Sequence, residues 1–340
     1  MNGMERVRAA VPCRACLSGE DLDWLGGRSV SLALDLMTTV EIGPPGPRAP
    51  AAQSPGGGWR EEVWAFLRER LPGLAPRPPA VTVRSDAPAA SGLSSSTAFI
   101  VALFRAFADA CAPAGQAPDR TTLAQWAYEF EFAVFNGGGM DQLAVVEGGA
   151  LLLDGRTRGL PAVRDRLEFP GDWAVIVVDS GVRKDTGGHI RAVRAQLAAR
   201  DPALAAYRAR VDEASAAVWE ALRGHDHRAL GAAMSSAHAA MRDLQRMSVP
   251  LLEEVRAVAL RSAGLPLKLS GAGGGGALVG VCPVAEEPET VDRLRRALRG
   301  AVPGARVIPA RAAPGVRREV ATPCAPQPRD QQVSPQMNGS

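Results

Sequence analysis

Asp86-Ala-Pro-Ala-Ala-Ser-Gly-Leu-Ser-Ser-Ser-Thr-Ala98 decides how this chain is to be read. The stretch is built of small residues and runs into Thr97–Cys111, where Ile100, Leu103, Phe104 and Phe107 share one helical stripe. Small residues let backbone approach a ligand closely. A loop that opens a helix aims free N–H groups and the positive helix end at one spot. That combination is an anion site. Ser94, Ser95 and Ser96 add hydroxyls for phosphate oxygens or a metal. The plainer alternative is a serine N-cap before a core helix. G-x-x-x-x-G-K-[ST] is absent, which argues against a P-loop fold.

Three further segments carry chemistry. In Lys268-Leu-Ser-Gly-Ala-Gly-Gly-Gly-Gly-Ala277, Gly271, Gly273 and Gly276 match G-x-G-x-x-G. A dinucleotide fingerprint must follow a strand and open a helix. Here the strand-like Ala277–Cys282 follows, so that reading is rejected, and a glycine turn packed on a phosphate-bearing loop survives. Glu129 and Asp141 flank the glycine turn Asn136–Gly139. Beside a phosphate site they suit a metal ligand and a base or orienting group; surface carboxylates are the alternative. In Pro12–Trp24, Arg14, Glu20, Asp21 and Asp23 crowd together. Carboxylates can grip several hydroxyls of a polyol, and an exposed acidic turn is the alternative.

Composition bounds the rest. The 340 residues suggest roughly two domains. With 46% hydrophobic and 22% charged residues the chain has globular composition. A net charge of +3 gives no reason to expect nucleic acid or an acidic membrane as partner. No apolar run reaches the roughly 20 residues of a membrane helix, and the charged N-terminus lacks a signal-peptide core, so a cytoplasmic location is expected. Five cysteines without regular spacing argue against a disulfide scaffold. The lone Cys13-x-x-Cys16 reads as two ordinary residues beside a strand. His189, His225, His227 and His238 are scattered and read as structural or surface residues.

Alternating apolar residues predict a strand in Ser29–Ile42. Gly43–Gly58 reads as a Pro/Gly loop and the segment beyond Ala321 as a disordered tail. Helices are expected over Trp59–Leu71, Thr121–Phe135, His189–Arg223, His225–Arg246, Pro250–Ser262 and Thr290–Leu298. Strands are expected over Ala80–Arg84, Ala144–Val146, Ala150–Leu153, Trp173–Asp179, Ala277–Cys282 and Ala305–Pro309. Without a regular β-α-β alternation, the fold class is α+β.

Taken in order, these segments resemble the GHMP kinase superfamily, and galactokinases in particular. The signature P-G-R-V-N-L-I-G-E-H-T-D-Y is matched without a gap by Pro12-Cys-Arg14-Ala-Cys-Leu-Ser-Gly19-Glu20-Asp21-Leu-Asp23-Trp24. P-L-G-G-G-L-S-S-S-A is matched by Pro88–Thr97, and the glutamate and G-I-M-D-Q by Glu129 and Gly138-Gly139-Met140-Asp141-Gln142. Asp179–Arg183 is similar to D-S-G-V-R, Ala237–Leu244 to S-H-x-S-L-R-D-L, and Lys268–Gly276 to R-M-T-G-A-G-F-G-G. The resemblance covers about residues 10–285.

It implies a two-domain α+β fold with the site in the interdomain cleft: an N-terminal domain over 1–165, a C-terminal domain over 166–320 and a tail over 321–340. It implies ATP and Mg²⁺, with phosphoryl transfer to a small-molecule hydroxyl. Asp141 would orient the acceptor, with Arg14 beside it. Glu20, Asp21, Asp23 and Gly139 would face the substrate. Gly92, Leu93, Ser94, Ser95, Ser96 and Gly273 would wrap the phosphates, and Trp59 would stand near adenine. Ser96 and Glu129 would hold Mg²⁺. The family's histidine is here Asp21, whose added charge, unless a cation offsets it, would disfavour an acidic substrate and favour an amine. Two loop glycines have become Ala90 and Ser91, and the arginine of the last motif is Lys268. The expectation is a kinase for a hexose, amino sugar or cyclitol. The alternatives are a galactokinase-like ligand sensor and a kinase for a non-sugar alcohol. Oligomeric state is left open.

Overall fold

The computed structural model describes residues 7–43, 58–113, 115–184 and 186–320. It opens with β1 (Val7–Ser18), α1 (Leu22–Leu25), β2 (Arg28–Ile42), α2 (Trp59–Arg70), β3 (Val81–Ser85), α3 (Ser95–Cys111), α4 (Arg120–Phe135) and α5 (Met140–Glu147). Then come β4 (Ala150–Asp154), β5 (Ala162–Leu167), β6 (Trp173–Asp179), α6 (Thr186–Ala199), α7 (Pro202–Arg223), α8 (His227–Gln245) and α9 (Pro250–Ala263). The chain ends in β7 (Lys268–Leu269), β8 (Ala277–Pro283), α10 (Glu287–Ala301), β9 (Arg306–Ala310) and β10 (Arg317–Val320). Most of the expected Gly43–Gly58 loop, and the tail from 321, lie outside the described residues.

Two sheets organise the chain. The first runs β10-β1-β2-β4-β5 with β3 on β2; the second runs β7-β8-β6-β9. Every pairing is antiparallel. With helices packed on antiparallel sheets, the fold is α+β. β1 and β2 are buried at most positions, so alternation along β2 does not separate a wet face from a dry one. Helices α3 and α7 both pack on this strand pair. The serines that punctuate the pattern are buried too, and Ser215 of α7 donates to Ser18 Oγ at 2.8 Å.

Two expectations are corrected. Ala144–Val146 is not a strand but the end of α5. A three-residue apolar run carries no period, and here Leu143, Ala144, Val145 and Val146 all find core. The helical run His189–Arg223 is two helices. Arg200 takes a left-handed φ of 54°, Asp201 caps α7 through Ala203 N–H, and Pro202 opens it. After β9, β10 returns to pair with β1.

That return crosses the end of α5. Gly148 bridges Pro314, and a Cβ on Gly148 would stand 1.9 Å from the Gly315 nitrogen, at a φ of +77°. Backbone meets backbone, so nothing can yield. Gly148→Ala is therefore expected to cost about 2–4 kcal/mol, the sum of left-handed strain and overpacking. Urea unfolding measures it.

Candidate active site

β1 carries the central side chain. Arg14 is buried, and its Nε and Nη2 donate to Asp141 Oδ1 at 2.8 and 2.6 Å. Its Nη1 donates to the Gly92 carbonyl at 2.6 Å, and its backbone N–H to Leu93 O at 3.0 Å. One guanidinium thus ties the first turn of α5 to the loop that opens α3. Burial alone would raise the Asp141 carboxyl; the Arg14 charge, with Lys184 adding, outweighs it and holds Asp141 below the usual range. Asp141 is an ionised carboxylate at neutral pH.

The loop before α3 is shaped as the sequence suggests. Ser94 is the N-cap, at a left-handed φ of 58°, and its side chain makes no capping bond. Its buried Oγ makes no close hydrogen bond but stands by Asp141, where it helps to hold that carboxyl low. The first-turn N–H groups of a 17-residue, largely buried helix are left for a ligand. Ser94, Ser95, Ser96 and Thr97 line the cleft, with Ser96 at its exposed rim. Gly92 lines it too. A Cβ there would meet the Ser270 carbonyl oxygen at 2.2 Å, and the φ is +86°. Ala277 N–H also donates to Ser91 O at 2.6 Å. The C-terminal glycine run therefore braces the loop from behind.

Several expected contacts fall elsewhere. Gly273 packs on Met247, with its Cβ position 2.3 Å from Met247 O, and is not among the cleft-lining residues. Gly271 and Ala272 line the cleft instead. The Leu93 side chain is core. Gly139 packs against Leu160 and Pro161. Trp59 lies on Phe99, ring centroids 6.3 Å apart, outside the cleft lining.

Glu129 needs a sharper correction. It lies half-exposed, bound by Arg70 at 3.0 Å and Gln125 at 3.0 Å. Two residues later in a helix the direction has turned by about 200°, and Glu131 faces the cleft. Glu131 is buried, accepting from Thr97 Oγ1 at 2.9 Å and Gln142 Nε2 at 2.5 Å. Burial, then repulsion from Asp141, pushes it up to about 8. A carboxylate beside serine and threonine hydroxyls is a hard oxygen donor set that suits Mg²⁺ completed by phosphate oxygens. The signal was in the sequence: Glu131 continues the buried stripe Ala124 and Ala127 of α4.

The same cleft holds the acidic motif. Glu20 Oε1 accepts from Lys268 Nζ and, at 3.2 Å, from Gly271 N–H, while its buried Oε2 has no partner. Lys268 also donates to Cys16 O and Leu269 O at 3.1 and 2.7 Å, so its three protons are spent. Behind it, His238 Nδ1 accepts from Leu269 N–H at 3.1 Å and Nε2 meets Glu253 Oε1 at 2.7 Å. Burial lowers His238 to about 4, so it is neutral and structural, as expected. Asp23 accepts from Met140 N–H at 2.9 Å and is pushed up by burial to about 7.

Asp21 does not stand bare. Its Oδ2 meets His189 Nε2 at 2.7 Å and its Oδ1 accepts from Trp24 Nε1 at 3.3 Å. The expectation of an uncompensated charge, and the amine preference drawn from it, lose their basis. His189 lines the cleft and is not a bystander. Lys184, one residue beyond the matched Asp179–Arg183, also lines it, and burial lowers it to about 8. Cys13 and Cys16 are buried free thiols, and no three-ligand metal cluster occurs among the described residues.

A two-lobed α+β chain with this cleft is a phosphotransferase acting on an alcohol. It belongs to the GHMP kinases: residues 60–149 match their N terminal domain and 218–304 their C terminal domain, together just over half of the chain. The galactokinase of Mycobacterium bovis (strain BCG / Pasteur 1173P2) is 27% identical over 346 residues, covering 86% of this chain and 93% of its own. The Lactococcus lactis galactokinase complexed with galactose superposes with a TM-score of 0.73 at 16% identity, covering 92% of this chain and 95% of its own. The mevalonate kinase of L. major in complex with R-mevalonate gives 0.72 at 19% identity, covering 90% and 95%. No described helix is long and apolar enough to cross a membrane.

Two outcomes follow from the glutamates. Glu131→Gln is expected to cut Mg²⁺-dependent kcat/KM by about a hundredfold or more, whereas Glu129→Gln, which breaks an exposed pair, stays within about twofold. Steady-state kinetics across Mg²⁺ concentrations separates them. Stability moves oppositely. Glu131 sits near 8 in the fold against 4.5 unfolded, so its contribution is full below the unfolded value and lost as pH rises through about 8. A glutamine cannot ionise, and the unpartnered Gln142 Oε1 can turn to receive its amide. The melting temperature of Glu131→Gln relative to the parent is therefore expected to climb between pH 5 and pH 8.5.

Proposed function

We propose that the chain transfers the γ-phosphoryl group of Mg²⁺–ATP to a hydroxyl of a neutral sugar or sugar-like ring polyol. The observation that carries this reading is the Arg14–Asp141 pair. It joins the loop that opens α3, and Glu20 and Asp23 line the same cleft. The similarity to galactokinases supports the sugar class. The N-terminal lobe, about residues 1–165 with β10 added to its sheet, supplies Arg14, Glu131, Asp141 and the loop before α3; the C-terminal lobe, about 166–320 apart from β10, supplies Lys184, His189 and the bracing loop.

Phosphoryl transfer is mainly positioning and charge neutralisation. The α3 N–H groups and the hydroxyls of Ser94, Ser95 and Ser96 receive the phosphates. Lys184, cationic at neutral pH, faces the charge that builds on the transferred group. Glu131, aided by Ser96 at the rim, would hold Mg²⁺, which when bound neutralises the phosphate oxygens. Arg14 occupies Asp141 Oδ1 twice, so Oδ2 remains for the acceptor hydroxyl. A carboxylate held this low is a weak base. Asp141 therefore acts first by aligning the hydroxyl, and takes its proton only as the oxygen bonds to phosphorus. Glu20 Oε2 and Asp23 receive other hydroxyls of the ring. A ligand sensor would not need Arg14, Asp141 and Glu131 assembled together.

The test is Mg²⁺- and acceptor-dependent ADP release over galactose, glucose, mannose, their 2-amino and N-acetyl forms, uronic acids and inositols. Turnover on a neutral ring polyol is expected, falling by about 10²- to 10³-fold in Asp141→Asn. Turnover confined to acyclic hydroxy acids or amino acids would refute the sugar assignment.

A further inference from the structure

His189 and Asp21 form a pair that the mechanism above leaves unused. Asp21 caps α1 and His189 lies in the first turn of α6, so the contact joins two segments 168 residues apart. Both side chains are mostly covered, at 12% and 8% exposure, yet both line the cleft beside Glu20, Asp23 and Trp24. Each Asp21 oxygen already holds a donor, from His189 and from Trp24. A carboxylate oxygen accepts, which makes the bonded imidazole nitrogen, Nε2, the donor. The other nitrogen, Nδ1, has no hydrogen-bond partner among the described residues.

We propose that His189, presented by Asp21, is a specificity-determining contact to the acceptor, with Nδ1 donating to an oxygen of the ring polyol. Asp21 is the positioning residue that fixes the ring's tautomer and plane, as a carboxylate does for an imidazole elsewhere. The assignment rests on reading this end of the cleft as the acceptor site. It explains why an aspartate sits where the resemblance leads one to expect a histidine: the imidazole arrives from α6 instead.

The electrostatics fit this geometry. Burial opposes charge on the ring, but Asp21 outweighs it; Glu20 adds to the effect and Lys184 opposes it. The ring's pKa lies above the ordinary histidine value, which favours the doubly protonated ring whose Nδ1–H can donate.

Two glutamine and asparagine substitutions separate contact from architecture. His189→Gln keeps a donor toward Asp21 and loses the one at Nδ1; His189→Asn keeps a donor near Nδ1 and loses Asp21. With the best turned-over of galactose, glucose, mannose and myo-inositol, His189→Gln is expected to raise acceptor KM about ten- to a hundredfold. The KM for ATP and the melting temperature should stay near the parent's, and His189→Asn should recover part of the loss. Asp21→Asn, which tolerates the left-handed φ of 67° at this cap, should move the alkaline rise in acceptor KM to lower pH. In ¹⁵N-edited spectra of the four histidines, the same polyol should shift the His189 Nδ1 resonance. Parent turnover with an unchanged KM in His189→Gln and an unmoved Nδ1 resonance would overturn this inference alone. Absence of parent turnover on every polyol would overturn the acceptor-site reading and this inference with it.

Discussion

The Arg14 guanidinium is the contact on which the cleft depends. Burying it is costly unless all of its protons find oxygen. It finds Asp141 from α5, the Gly92 carbonyl from the phosphate loop and, at 3.5 Å, Ser270 Oγ from the C-terminal glycine segment. Ser270 Oγ in turn accepts from Cys16 N–H on β1. Three segments far from β1 in sequence are thereby held against one side chain. A single buried cation fixes where the Asp141 carboxylate stands relative to the N-terminus of α3.

Around that contact the cleft keeps carboxyl groups in several charge states. Asp141 has a cation and stays ionised. Glu131 and Asp23 have only neutral donors and are pushed toward the protonated form. At neutral pH this costs the fold some stability. Glu20 has one oxygen held by Lys268, and the other is buried without a partner. Such an atom stays in a fold when something else satisfies it. The cleft is thus preorganised at the cost of local frustration, as binding sites commonly are.

The bracing of the phosphate loop obeys a different constraint, which is space. Gly92 and Ser270 approach so closely that no side chain fits between them, and Ala277 N–H completes the contact through Ser91 O. The C-terminal glycine run does its work there, behind the loop. That is why Gly273, expected to touch phosphate, lies against Met247 instead.

Much of this was legible in the chain itself. The small-residue loop before an apolar helix, the acidic cluster after Arg14 and the Met-Asp-Gln turn each announce a local conformation and a chemical type, and those are set by neighbours a few residues apart. Which of two glutamates faces the cleft was not legible from motif spacing, because two residues turn a helix to its other side and the turn before Asp141 sets the phase. Nor was the His189–Asp21 pair, since no local rule joins residues 168 apart. The sequence by itself determined most of the elements, the α+β class and the chemical types gathered in the cleft. Tertiary structure alone decided which carboxylates gained a cation, which were left to protonate and which histidine entered the site, because burial and Coulomb energy depend on distance through space.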